Sequence, residues 1–401
     1  MSLKKWALWG IAALLIVTAT VFYMINSNKS GVASKESTPG TALSIWLYSQ
    51  GWEAYISEFQ QMYPNVAIDV RYFRSSRQLL EELLASISAN AAPQLAELHS
   101  YYGVAELVDT GAALPVNRSA RKEWSQINPA FTAPFHYEDQ DWAVPIGGAI
   151  PMLYYREELL KRTQGGAFTR WDEVERAASE EQAEGLAANA EQYWGIGVDK
   201  ELPWYVDNLS FTPGGNNDES TLGLDAFYSR WSNWIHTLGI MKPLAHHRAA
   251  SDFINGKIGL FISSSEMLPT VERYIGGKFQ FDAGHLPEME QHGIVPGIHG
   301  LVALQSVPAK VKAAESFITY MLREQTQAAL WRMDGMIPSR SDIVFKLQEE
   351  TGWSLRQKEI LDSTGMFVVK YPSTADFERW KTVQSQLEQL EQKAEVPAAV
   401  E

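Results

Sequence analysis

The stretch that decides the fold is Asp141–Leu160, DWAVPIGGAIPMLYYREELL. It is an apolar run with a break in its middle. Trp142–Ile146 reads as a strand. Gly147 and Gly148 allow backbone angles that other residues resist. Ile150–Tyr155 is a second apolar and aromatic run, and Arg156-Glu-Glu-Leu-Leu160 opens a helix. Two strand-like runs joined by Gly-Gly-Ala describe either a kinked strand passing from one lobe to another or one core strand interrupted by a bulge. The pattern alone favours the bulge, because short apolar runs are ambiguous.

The surrounding chain is large enough for either arrangement. Its 401 residues suggest about two domains. Hydrophobic residues make up 45%, and charged residues at 20% are too few for a disordered chain. The formal net charge of −14 argues against a nucleic-acid partner, since a polyanion needs a basic surface. The absence of cysteine removes disulfides, thiolate metal sites, iron–sulfur clusters and cysteine nucleophiles together. Fourteen Trp, 16 Tyr and 16 Phe serve first as core. Several of the Trp fall in loops, and aromatic faces stack on sugar rings, which raises carbohydrate as a hypothesis.

Upstream, Met1–Lys5 carries two lysines and Trp6–Ile25 carries no charge, a run long enough to cross a bilayer as a helix. The lysines favour a cytoplasmic N-terminus. Gly31-Val-Ala33 is only a passable cleavage site, so an uncleaved anchor (1–25) is preferred over a cleaved signal peptide. Both readings export the rest of the chain. Asn26–Thr41, rich in Ser, Gly, Lys and Thr, reads as a flexible tether. From Ala42 the order is strand Leu43–Tyr48, helix Trp52–Tyr63, strand Val66–Tyr72, helix Arg77–Ser88, strand Gln94–His99 and helix Tyr102–Asp109. This β-α alternation predicts a mainly parallel sheet covered by helices. Downstream the pattern predicts helix Trp171–Ala183, strand Tyr193–Val198, helix Asp225–Leu238, strand Lys257–Ser263, helix Ser264–Tyr274 and strand Phe279–His285. Helices are expected at Pro308–Leu322, Gln325–Met333, Ser341–Ser363 and Thr374–Lys393.

Catalytic signatures are missing. No His-Glu-x-x-His, Gly-x-Ser-x-Gly or Walker loop occurs, and Gly195-Ile-Gly197 lacks the third glycine of a dinucleotide fingerprint. His246 and His247 are adjacent, so on a helix they point apart and make poor joint metal ligands. Glu157-Glu158 and Glu180-Glu181 read as charged helix faces. Acid pairs for sugar hydrolysis need not be close in sequence and stay open. Neither a metal nor a cofactor is expected. The informative residues instead come after predicted strand ends: Tyr48-Ser49-Gln50-Gly51-Trp52, Glu97-Leu-His99-Ser100 and Ser263-Ser264-Ser265. In open parallel sheets ligands bind beyond those ends. Serines capping helices and a core role for Trp52 are the ordinary alternatives.

Seven motifs in order resemble a known family. They are Phe59-Gln-Gln-Met-Tyr-Pro-Asn-Val66, Ala143-Val-Pro-Ile146, Leu153-Tyr-Tyr-Arg-Glu-Glu-Leu159, Phe253-Ile-Asn-Gly-Lys-Ile-Gly-Leu260, Gly297-Ile-His-Gly-Leu301, Lys312-Ala-Ala-Glu-Ser-Phe-Ile318 and Gly335-Met-Ile-Pro-Ser339. The chain over Leu43–Trp380 resembles bacterial extracellular solute-binding proteins of the ABC sugar-transport type, the group that includes maltose- and glycerol-phosphate-binding proteins. The resemblance implies a two-lobed, periplasmic-binding-protein-like α/β fold of type II with a ligand cleft between the lobes. Lobe one would take 42–146 plus 285–333, and lobe two 147–284 plus 334–393. Asp141–Leu160 then becomes the first crossing, with Gly147 and Gly148 as hinge. The implied ligand-binding residues are Ser49, Gln50, Trp52, Glu97, His99, Gly148, Trp204, Ser264, Ser265, His299 and Tyr371. A monomeric receptor for a sugar or oligosaccharide, partnered by the membrane permease subunits of an ABC importer, is the function implied. A membrane-anchored carbohydrate-processing enzyme and a ligand-sensing partner of a signalling protein are the alternatives. The chain departs from the family in lacking a lipid-modified cysteine and in placing Arg156 where an asparagine is usual.

Overall fold

The computed structural model describes residues 40–162, 167–187, 193–199, 208 and 224–392. Two sheets organise it. The first contains β1 (Thr41–Leu47), β2 (Val66–Tyr72), β3 (Leu95–His99), β6 (Val144–Ala149), β11 (Gly297–Ala303) and β12 (Ile337–Pro338) in the order β12-β6-β11-β3-β1-β2. The second contains β7 (Pro151–Arg156), β8 (Trp194–Val198), β9 (Ile258–Ser264) and β10 (Phe281–His285) in the order β10-β7-β9-β8. A hairpin of β4 (His136–Tyr137) and β5 (Gln140–Asp141) stands apart.

The opening stretch therefore splits. β6 belongs to the first sheet and β7 to the second, with Ile150 alone between them. It is a crossing, and the bulged single strand that the local pattern favoured is ruled out. Gly147 and Gly148 lie before this link. Both are buried inside β6, where Gly147 and Gly148 pair with β11 on one side and β12 on the other. A Cβ on Gly148 would lie 2.6 Å from the carbonyl oxygen of Gly297 and 2.9 Å from the Phe131 ring. A Cβ on Gly147 would lie 2.6 Å from Met336 Sδ. These glycines let neighbouring strands and side chains approach closely, a packing role that the expected hinge role did not include.

Strand direction fixes where the two sheets face each other. β1, β2 and β3 are parallel, and β11 runs antiparallel to both β3 and β6. β7 runs antiparallel to β9 and β10, while β8 and β9 are parallel. Most strands in each sheet thus share a direction, as the β-α alternation predicts. The exceptions are β7 and β11, which arrive directly from the other sheet, and the two-residue β12, which pairs antiparallel with β6. β6 ends at the junction and β7 starts there, so the C-terminal ends of β8 and β9 also lie at the junction. β10 ends and β11 starts on the same side, which brings the C-terminal ends of β1 and β3 there too.

Periodicity placed most helices correctly. Helix Glu53–Met62 buries Tyr55, Ile56 and Phe59, and Ser76–Ser88 buries Leu79, Leu80 and Leu83 behind an N-cap from Ser75. The expected helix Ser341–Ser363 is two, Ser341–Glu349 and Leu355–Asp362, broken at Gly352 (φ 103°) and restarted by a Ser354–Gln357 capping box. Two parts of the 334–393 segment expected in lobe two touch lobe one. β12 pairs with β6 in the first sheet. The helix Asp376–Gln392 spans both lobes. Phe377 packs on Tyr102 with ring centres 5.3 Å apart, and Gln384 accepts a hydrogen bond from Arg77 at 2.8 Å. At the other end the buried Glu391 meets His246 at 3.0 Å and the Leu244 N–H at 2.7 Å.

Candidate functional site

The loop after β1 is tied to β3 by one carboxylate. Glu97 is wholly buried, and its Oε2 accepts from the backbone N–H groups of Tyr48 (2.9 Å) and Ser49 (3.0 Å). Its Oε1 accepts from Ser49 Oγ at 2.6 Å and from His299 Nδ1 at 2.7 Å. A buried charge is tolerated only when so fully bonded. Ser49 Oγ in turn accepts from Trp52 Nε1 at 2.8 Å.

Trp52 itself is only 3% exposed and stacks on Phe317, ring centres 6.3 Å apart. It belongs to the core, a correction to its expected place as a ligand platform. The cause is its position at the start of helix Glu53–Met62, whose buried face packs against helix Pro308–Met321 through Phe59 and Phe317.

His299 is the centre of the site. It lies on β11 opposite His99 of β3. Its Nδ1 is also 2.9 Å from Tyr48 Oη, and the two rings stack at 5.5 Å. On the other side, Nε2 is 3.1 Å from Glu266 Oε1. Glu266 sits in the short helical turn Ser265–Met267 directly after β9, so this ion pair joins the two lobes. Burial alone would lower the His299 pKa, but Glu266 and Glu97 outweigh it and push it up to about 10. His99, 5.8 Å away ring to ring, is held well below the usual histidine range by burial and by the His299 charge. Burial, with Glu97 and Glu266 beside it, pushes the Tyr48 hydroxyl well up. The pKa values of two neighbouring imidazoles are thus driven in opposite directions, the usual mark of an electrostatically organised site.

Ser264 and Ser265 hold the crossing. The Ser264 carbonyl accepts from Tyr154 Oη at 2.7 Å. Ser265 brackets Ile150, donating its N–H to the Ile150 carbonyl at 2.8 Å and accepting from the Ile150 N–H through Oγ at 3.2 Å. Gln50 is exposed beside the junction. Tyr371 is 62% exposed, its ring 6.1 Å from His136 of the first lobe. Trp204 lies outside the described residues. The structure therefore gathers Ser49, Glu97, His99, Ser264, Ser265 and His299 at the junction, but leaves Trp52 in the core and Gly148 within β6.

Sequence reasoning missed Glu266 and Gln327. Glu266 comes directly after Ser263-Ser264-Ser265, so the strand-end rule reaches it one residue later. Gln327 is wholly buried; its Nε2 donates to the carbonyls of Ile146 (2.7 Å) and Met321 (2.9 Å), and its Oε1 accepts from Ser339 Oγ at 3.2 Å. It binds the first crossing strand to the segment that leaves β12. No local pattern announces such a residue. Arg156 also finds its role: it pairs with Glu158 and Glu181 and lies over the Phe279 ring, inside lobe two.

Residues 54–351 match the family described as bacterial extracellular solute-binding protein. The chain belongs to that family. No curated protein matches it. Among solved structures, this solute-binding protein is similar to an ABC transporter solute-binding protein of Thermotoga lettingae bound with α-D-tagatose (TM-score 0.74, 17% identity, covering 88% of this chain and 95% of that one). It is similar to the GacH receptor of Streptomyces glaucescens, solved unliganded and with acarbose (TM-score 0.72, 15% identity, 88% and 94% covered). It also resembles UgpB of Mycobacterium tuberculosis in complex with glycerophosphocholine (TM-score 0.67, 15% identity, 88% and 96% covered). These likenesses establish the two-lobed fold. Among the described residues of this solute-binding protein, no helix is long and apolar enough to cross a membrane; Trp6–Ile25 lies outside them.

Proposed function

We propose that this protein is an extracytoplasmic receptor that binds a sugar or oligosaccharide between its lobes and delivers it to the permease subunits of an ABC importer. The observation that carries this reading is the convergence of strand ends from both sheets on one junction, where Glu266 of lobe two meets His299 of lobe one at 3.1 Å. A ligand held there contacts both lobes at once, so binding energy drives closure. The aligned solved structures, sharing this fold, include proteins bound to tagatose, acarbose and maltose. Lobe one is assigned to residues 42–149 and 297–338, and lobe two to 151–285 and the helices after 341. The terminal helix Asp376–Gln392 bridges them. Trp6–Ile25 keeps the monomeric receptor at the membrane, close to its permease.

No covalent step is assigned. Titration calorimetry of the exported domain with a glycan panel, with product analysis on the same samples, tests the reading. Saturable binding with the glycan recovered intact is expected. Turnover of the glycan would return the carbohydrate-processing alternative, and no binding to any glycan would remove the sugar assignment.

A further inference from the structure

The junction contains two carboxylates in different situations. Glu97 has no capacity left: two N–H groups, one hydroxyl and one imidazole fill its oxygens. Among the described residues Glu266 pairs with His299 alone, its Oε1 is shielded from solvent without a well-aligned hydrogen bond, and its side chain is one-quarter exposed. The two also travel with different lobes. Glu97 and His299 sit on adjacent strands of the first sheet and stay together when the lobes part. Their charges cancel locally. Glu266 leaves with lobe two, and among the described residues no cation of that lobe pairs with it, so the charge it presents to an incoming ligand is negative. A third carboxylate, Asp334, binds Tyr55 nearby and is itself raised by burial and by the field of Glu266.

We propose that Glu266 is a specificity-determining residue of the cleft, favouring ligands that present hydroxyl or protonated amine donors and disfavouring carboxylated or phosphorylated ones. The proposal rests on the receptor reading above, because it requires the ligand to enter between the lobes. The physics is direct. A neutral polyol offers O–H donors to the open acceptor on Glu266. An amine adds charge assistance to the same bond. An anion enclosed beside Glu266 meets a like charge where little water remains to screen it. His99, kept neutral and with its Nδ1 shielded and unbonded, adds no positive charge that would rescue an anion.

The test is titration calorimetry of the exported domain, wild type and Glu266→Gln, with trimers of glucose, glucosamine and galacturonate. Wild type should bind the glucosamine trimer at least as tightly as the glucose trimer. The galacturonate trimer should bind at least about tenfold more weakly. Glu266→Gln, which keeps the shape and removes the charge, should shrink that gap to about threefold or less. Galacturonate binding as well as glucose in wild type would overturn the proposal, as would an unchanged gap in the variant. If no trimer binds, the sugar reading fails on its own, and the same ranking is read on neutral, amidated and acidic tripeptides. A preference for the acidic tripeptide would then overturn the charge assignment, and a preference for the amidated one would support it.

Discussion

Replacing Trp52 by alanine separates a core residue from a ligand platform. The side chain is 3% exposed, lies against Phe317, and donates through Nε1 to Ser49 Oγ at 2.8 Å. Truncating a buried Trp costs about 3–5 kcal/mol, the spread reflecting how far the cavity collapses. Loss of the hydrogen bond adds about 1 kcal/mol. For a lobe of this size each kcal/mol moves the thermal midpoint by about 2–4 °C, so a fall of about 8–24 °C is expected. Trp52→Phe keeps most of the volume and loses only the donor, and should cost about 1–1.5 kcal/mol. The assay is thermal unfolding by near-UV circular dichroism, paired with calorimetric affinity for whichever glycan the panel identifies. The folded fraction of Trp52→Ala should bind it with little change. A midpoint within a degree of wild type, together with a large loss of affinity, would refute the core assignment and restore the platform.

The same geometry sets two more outcomes. Gly148→Ala places a Cβ 2.6 Å from the Gly297 carbonyl oxygen, an overpacking that should destabilise by about 1–3 kcal/mol. Ligand-induced compaction in small-angle scattering should be unchanged; normal stability with lost compaction would make the glycine a hinge after all. His299 is held up at about 10 in the folded protein against about 6.5 in an unfolded chain. The proton is therefore bound more tightly when folded, and the stability this contributes is complete below pH 6.5 and disappears as pH rises through about 10. The difference in thermal midpoint between wild type and His299→Gln should narrow across that interval. A difference that is flat or widens with pH would remove the ion pair from the account.

Much of the fold could be read in the chain. Apolar spacing located Glu53–Met62, Ser76–Ser88 and Pro308–Met321, because a helix that must bury one face repeats its apolar residues on the helical period. Strand-end reasoning pointed to Ser49, His99 and Ser265, which the structure brings to the junction because strand ends of both sheets meet there, and to Glu97, which lies within β3 and reaches the same place through its side chain. The same reasoning failed at Trp52, which lies just past a strand end but turns inward. Exposure is set by what packs on a residue, here Phe317, far away in sequence.

Asp141–Leu160 shows where the division falls. Its residues by themselves determined two apolar runs with a glycine pair between them. Only the tertiary structure decided that one run belongs to a six-stranded sheet and the other to a four-stranded one, that Ile150 is the link, and that the glycines admit Gly297 and Met336. The physical reason is that a strand's partners are chosen by hydrogen bonds to distant segments, and short-range pattern carries no record of them. The junction charges obey the same rule. Glu97, Glu266 and His299 are three isolated letters in the chain, and only the meeting of β3, β11 and the turn after β9 makes them one electrostatic unit.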